Sequence, residues 1–325
     1  MSSENSEEKG TFRYQVRRMR YRAMRGKLRL PVTWLLHRRL DPRDVFLASF
    51  PRSGSHWLKF QLLEIITGQA ADFENVKRRI TRVGDHGVPG AAALVALGVI
   101  NPGKAEPLLP DGSRLMHTHE AYRRDYRKVI YLVRDIRDVL LSEFAIGKEL
   151  GLLRYYEIDD FDSFLEPFLS GAIDRYQTWQ NHVVSYLDSP LARNGHLLVL
   201  RFEDVRKNPE EHLTRIIQFL GVRARQEDVR RAIAHNTVEQ MRAKEDASRV
   251  MRKSSDEEGR FVRRGSVGGW RERLTEEQIR LVDRYAGRVL RMIGYPTGAS
   301  LAKRTNDAVM GRAEERVQAT DNSNA

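Results

Sequence analysis

The chain has 325 residues and a formal net charge of +12, from 56 Lys and Arg against 44 Asp and Glu. That excess points to anionic partners such as nucleotides, acidic glycans, anionic lipid or nucleic acid, without choosing among them. The absence of cysteine excludes disulfides and thiolate metal sites and leads us to expect a reducing compartment. Residues 1–10 are Ser- and Glu-rich, with neither the basic start nor the apolar centre of a signal peptide. Together with 298–325 they are expected to be disordered tails around one domain spanning 11–297. The longest apolar run, Ala91 to Ile100, falls well short of the roughly 20 residues that a membrane helix needs. A cytoplasmic protein is therefore the expectation.

Residues 12–43 carry eleven Lys and Arg against one acid, Asp41, interleaved with Phe12, Tyr14, Trp34 and several leucines. Two readings fit: a helix packed on the domain with a solvated basic face, or an amphipathic segment in peripheral contact with anionic membrane. The next segment, 45–68, reads as a buried strand, a tight turn and a helix. Its turn, Arg52-Ser53-Gly54-Ser55-His56-Trp57, gathers a cation, hydroxyls, a glycine and an indole, a composition suited to holding a phosphorylated ligand at a helix start. Residues 84–112 form a long stretch rich in Gly, Pro and Ala, of the kind that is usually functional or mobile. Arg114 to His119 reads as a short strand that sends His117 and His119 to one face and Thr118 to the other.

A second strand and helix follow over 129–147. Asp135 is placed to cap that helix, and Asp138 and Ser142, four apart, share a face of it. A helix is expected over 171–187. The third strand-turn-helix unit, 196–221, has Asn208 and Glu211 spaced as a capping box, Pro209 at the first helical position and Gly221 at the end. A helix over 275–293 opens on the capping box Thr275 and Gln278. Apolar strands alternating with helices indicate an α/β protein with a parallel sheet covered on both faces, whose ligands bind at the carboxyl ends of the strands.

The turn at Arg52 resembles the P-K-S-G-T-T-W loop that binds the 5′-phosphosulfate in sulfotransferases using 3′-phosphoadenosine 5′-phosphosulfate (PAPS). Tyr131 to Ser142 resembles that family's second motif, and further elements follow in the family's order to about residue 293. The resemblance implies a P-loop-like parallel sheet flanked by helices. It places Arg52, Ser53, Gly54, Ser55 and His56 around the phosphosulfate, Trp57 on the adenine, and Arg134 with Ser142 on the 3′-phosphate. Phe202 falls where the family has a tyrosine contacting adenine. Asn236-Thr237-Val238 with Met241 resembles a further adenine-site element in which Val238 replaces the stacking ring. Arg263, Arg264 and Gly265 fall in a loop that closes over the 3′-phosphate. By the same resemblance His119 is the general base, and His117 stands where the family carries a lysine, with Arg114 or Arg123 as other sources of the missing charge. Arg52, as a guanidinium, keeps the electrostatic role of the family's lysine toward the leaving group but is a poor proton donor. The implied donor is PAPS, the product is adenosine 3′,5′-bisphosphate, no metal is required, and the acceptor is a hydroxyl or amine of a glycan, lipid or small molecule.

Two other readings compete. A P-loop kinase would need Gly at position 49, Lys at 55 and Ser or Thr at 56; the chain has Ser49, Ser55 and His56, so the magnesium-binding hydroxyl is misplaced. A basic nucleic-acid-binding protein would explain the charge but neither the two strand-turn-helix anion sites nor the histidines between them, and no nucleic-acid partner is expected. His117 and His119 as metal ligands would lack a completing carboxylate.

Overall fold

The computed structural model describes residues 38–84, 105–173, 176–248 and 267–298, together with residues 15, 19, 33, 34, 37 and 262. The terminal tails, most of the basic segment 12–43 and much of the stretch 84–112 lie outside the described residues, and so do the expectations made for them. Five strands, β1 Val45–Ser49, β2 Arg82–Val83, β3 Leu115–Thr118, β4 Lys128–Val133 and β5 Leu197–Arg201, form one sheet. All its pairings are parallel, in the order β2-β3-β1-β4-β5. The chain leaves β1 toward β2 and β3 on one side, then crosses to β4 and β5 on the other. The end of β1 is thus a topological switch point, where a crevice opens between diverging connections.

The central strands β1 and β4 are buried on both faces, which is why they are mostly apolar instead of alternating. Phe46, Ala48, Val129, Tyr131 and Val133 belong to one core cluster, and Val45, Leu47, Leu115, Ile130 and Leu132 to the other. Helices α1 Ser55–Thr67 and α2 Phe73–Arg79 contribute Leu58, Leu62, Phe73 and Val76 to the second cluster. Helices α3 Ile136–Glu149, α4 Phe161–Leu169 and α5 Trp179–Leu187 contribute Val139, Leu140, Phe164, Phe168, Val183 and Tyr186 to the first. At roughly 1.5–3 kcal/mol for each large side chain fully buried, these faces outweigh the exposed ion pairs many times over.

The expected helix over 171–187 begins only at Trp179, where the Thr178 side chain caps it. Gly171, at φ 81, turns the chain before it, a conformation that ends one helix and cannot sit inside another. After α6 Pro190–Arg193 and β5, the third unit contains two helices instead of one, α7 Phe202–Lys207 and α8 Pro209–Leu220. They meet at Asn208, whose backbone, at φ −130 and ψ 67, is neither helical nor extended; its side chain makes no capping bond, so the expected box with Glu211 is absent. Pro209 does open α8 and Gly221, at φ 72, closes it. Helices α9 Gln226–Ala234 and α10 Val238–Ala247 follow, and α11 Glu276–Met292 opens on the expected box of Thr275 with Gln278.

Arg114 is at the opposite end of the sheet from the switch point. It grips Asp44, just before β1, with Nε to Oδ1 at 2.7 Å and Nη2 to Oδ2 at 2.5 Å. This corrects the suggestion that Arg114 reaches into the site. Arg123 pairs with Asp125 at 3.1 Å on an exposed turn.

Candidate functional site

The turn after β1 is built by backbone conformations that the sequence only hinted at. Arg52 is in the left-handed region at φ 62 and Gly54 at φ 91. A Cβ on Gly54 would come within 2.4 Å of the Phe202 ring, so at this position the loop tolerates only glycine. Phe202, 4 % exposed, packs between that glycine and the Arg134 guanidinium, which stands 4.8 Å above its ring. Gly54 at the N-cap of α1 provides no side-chain capping bond to the positive end of that helix. The buried Ser53 hydroxyl makes no hydrogen bond among the described residues. An uncapped helix start, an unpartnered buried hydroxyl and a loop that admits close approach together fit an oxyanion ligand.

The loops after β1 and β4 are bonded to each other. Arg52 Nε donates to Ser142 Oγ at 2.9 Å, and Arg134 Nη1 donates to the Arg52 carbonyl at 3.1 Å. Ser142 therefore faces Arg52 in this structure, while Arg134 lies 3.9 Å from Asp138. Burial weakens the hold of Arg52 on its proton; Glu143 opposes this and the nearby Arg134 adds to it. An anion between them would relieve that repulsion.

The carboxylate of Asp138 has a second task that the sequence reading missed. It accepts from the backbone of Gly268 at 2.8 Å and of Trp270 at 3.2 Å, tying the carboxyl-terminal loop to the start of α3. Burial raises its pKa even so, with Arg134 opposing. Trp270 is 1 % exposed and receives the Arg137 guanidinium 3.7 Å above its ring. Arg263, Arg264 and Gly265 precede this anchor and lie outside the described residues.

The histidines stand at the carboxyl end of β3, beside the end of β1. The ring centroids of His117 and His119 are 4.6 Å apart, on one face as the strand periodicity required. His119 Nδ1 donates to the Ser49 carbonyl at 2.7 Å. Since a carbonyl only accepts, the neutral ring carries its proton on Nδ1 and presents a lone pair at Nε2. The His119 carbonyl in turn accepts from His182 Nε2 at 3.1 Å, and Tyr131 donates to His182 Nδ1 at 2.8 Å. Burial, followed by the charge of Arg82, depresses the His119 pKa well below the ordinary value, so the base form dominates at neutral pH.

His117 is fully buried, shares a hydrogen bond with Ser55 Oγ through Nε2 at 3.0 Å, and leaves Nδ1 without one among the described residues. Burial, followed by the charge of Lys59, drives its pKa well down, as burial does for His56. His117 is thus held neutral and does not provide a permanent positive charge. Trp57 is only partly buried; its indole donates to the Asn236 carbonyl at 2.8 Å, and Arg206 lies 5.0 Å over its ring. Lys59, Ser49, Arg82 and Tyr176 were not anticipated. Arg82 is the register partner of His117 and donates to the Tyr176 hydroxyl at 2.6 Å, beside the His119 ring. The spacing of Ser55 and Lys59, one helical turn, was the available signal for Lys59.

A family model described as a sulfotransferase domain matches residues 42–294. The flavonol 4′-sulfotransferase of Flaveria chlorifolia is 25% identical over 257 residues, covering 75% of this chain and 78% of its own length. Sulfotransferase 1A1 of Mus musculus is 25% identical over 262 residues, covering 77% and 85%. Among solved structures, retinol dehydratase in complex with retinol and PAP superposes with a TM-score of 0.61 at 23% identity, covering 81% of this chain and 86% of that one. A mouse sulfotransferase complexed with PAP gives 0.57 at 23%, covering 80% and 89%. At that identity the structural likeness establishes the fold.

Proposed function

Because the chain belongs to the sulfotransferase domain family and is a PAPS-dependent enzyme of that family, we propose that it transfers a sulfuryl group to the hydroxyl of a small-molecule acceptor, with His119 as general base. The observation that carries this reading is the hydrogen-bonded junction of Arg52, Ser142 and Arg134, which sets two cationic loops around one crevice while His119 stands at the neighbouring strand end. PAPS brings the activated sulfuryl group, bonded through oxygen to its 5′-phosphate.

In this reading Arg52, the Ser53 hydroxyl and the backbone at Gly54 and Ser55 hold the phosphosulfate. Arg134 and Ser142 hold the 3′-phosphate, and Trp57 and Phe202 flank the adenine. His119 Nε2 takes the acceptor's hydroxyl proton as the acceptor oxygen bonds sulfur. The bond between sulfur and the bridging oxygen breaks, and that oxygen leaves as part of adenosine 3′,5′-bisphosphate. Arg52 offsets the charge that develops there; a guanidinium stabilises it without giving up a proton. Rotation of the His119 ring is restrained by the Ser49 carbonyl, so the lone pair keeps its aim.

The names of the relatives favour a hydroxylated small molecule over a glycan, since flavonols, retinol and androsterone are all of that kind. A sulfuryl group bears less negative charge than a terminal phosphoryl group, so arginines and backbone donors suffice without a divalent metal. The test is transfer of label from sulfur-labelled PAPS to a panel of flavonols and sterols in excess EDTA. Labelled acceptor is expected; a strict need for Mg²⁺ and consumption of ATP would instead favour a kinase.

A further inference from the structure

Lys59 is 4 % exposed, lies in the interior of α1, and has no carboxylate partner and no hydrogen bond among the described residues. A buried ammonium without a counter-ion is costly and rare. The nearest charges do not relieve it. Arg82, on β2, opposes its protonation, and Lys59 itself is the foremost charge acting on His56 of its own helix and on His117 of β3, and it acts on His119 as well. The strongest electrostatic influences on these imidazoles are all cationic. Lys59 thus adds a positive charge to the imidazole cluster, and no acid among the described residues pairs with it.

Geometry directs that surplus toward the crevice. Ser55, one turn before Lys59 on the same face of α1, meets His117 at 3.0 Å. Side chains on a helix lean toward its amino end, and the lysine stem, about as long as one 5.4 Å turn, brings Nζ up to the level of the first turn. That level is the uncapped helix start beside the orphaned Ser53 hydroxyl and the neutral His117.

We propose that Lys59 is a catalytic residue whose ε-ammonium contacts the sulfuryl oxygens of the bound donor, supplying beside His119 the positive charge that the neutral His117 does not. The assignment rests on the donor reading above and deepens it. In the absence of an anion, burial pulls the Lys59 pKa down to about 7, so the contact is available in acid and neutral solution and fades as pH rises.

The test compares two ligands that differ only in the sulfuryl group, PAPS and adenosine 3′,5′-bisphosphate, by titration calorimetry of the wild type, K59M and K59R. K59M is expected to bind PAPS about tenfold more weakly near pH 6 while its affinity for the bisphosphate stays within about twofold. The wild type's preference for PAPS should decline between about pH 6 and pH 9, whereas K59R, which stays charged, should keep it at both. Equal losses for the two ligands in K59M, no loss for either, or a wild-type preference that ignores pH would overturn the assignment. A wild type that bound neither nucleotide would overturn the donor reading itself, and would be seen before any variant was compared.

Discussion

Arg52 Nε donates to Ser142 Oγ at 2.9 Å across a separation of 90 residues, so the loop after β1 and the first turns of the helix after β4 are fixed by one another. The bond matters because Arg52 holds the left-handed conformation at φ 62, which costs a non-glycine residue about 1–3 kcal/mol and persists only where surroundings enforce it. Arg134, donating to the carbonyl of the same residue at 3.1 Å, supplies a second constraint. The two charged loops are therefore tied to each other without any ligand.

Replacing His119 by alanine should leave the affinity for adenosine 3′,5′-bisphosphate near that of the wild type while transfer falls by roughly two to four orders of magnitude. Because burial and Arg82 depress the pKa of this imidazole, the acid limb of the wild-type pH–rate profile should lie below the ordinary histidine value of 6.5. Protonation on that limb removes the lone pair, so activity rises with pH through it. Calorimetry and a pH series of initial rates measure both outcomes, and retained turnover in the variant would reassign the base.

Arg134→Ala should weaken adenosine 3′,5′-bisphosphate far more than adenosine 5′-phosphate, on the order of 1.5–3 kcal/mol for a charge-assisted contact. Loss of the bond to the Arg52 carbonyl will cost both ligands something, and the difference between them isolates the 3′-phosphate. Equal losses in competitive titration would show that Arg134 does not read that group.

Asp138→Ala removes the carboxylate that receives the backbone of Gly268 and Trp270. Hydrogen exchange at residues 268–270 should quicken and the KM for PAPS should rise several-fold, while far-ultraviolet dichroism stays unchanged, since Trp270 keeps its burial and its contact with Arg137. Unaltered exchange there would mean that Asp138 does not hold the loop.

Lys59→Met should make the unliganded protein more stable. The amine titrates at about 7 in the fold against 10.5 in a solvated chain. Below about pH 7 it is charged in both states and the fold bears the whole penalty, on the order of a few kcal/mol. As pH climbs toward 10.5 the penalty shrinks, so the advantage of the variant in thermal melts should be greatest near pH 6 and fade by pH 10. A variant less stable than the wild type at pH 6 would mean that Nζ has a stabilising partner.

Much of the architecture was legible because local chemistry and tertiary demand agreed. The mostly apolar runs of β1 and β4 called for burial on both sides, and Gly54, Gly221 and the Thr275–Gln278 pair sit where backbone geometry calls for them. The helix expected from Gly171 failed because a periodic pattern of apolar residues does not reveal that a glycine before it has positive φ. The capping box at Asn208 failed for a related reason: the short helix α7 runs directly into that residue and sets its backbone.

At the site, the sequence alone determined which chemical groups lie at the strand ends, since a strand followed at once by a turn and a helix leaves their order little freedom. It fixed the identity of His119, Arg52 and Arg134 and the shared face of His117 and His119. Tertiary structure decided the partners: Ser142 turned to Arg52, Arg114 went to Asp44 at the far end of the sheet, and Lys59 was buried among imidazoles. Charge state followed from those placements, because the pKa of a lysine or histidine depends on the water it loses and on the charges around it, which are set by contacts across the fold and not by neighbours along the chain.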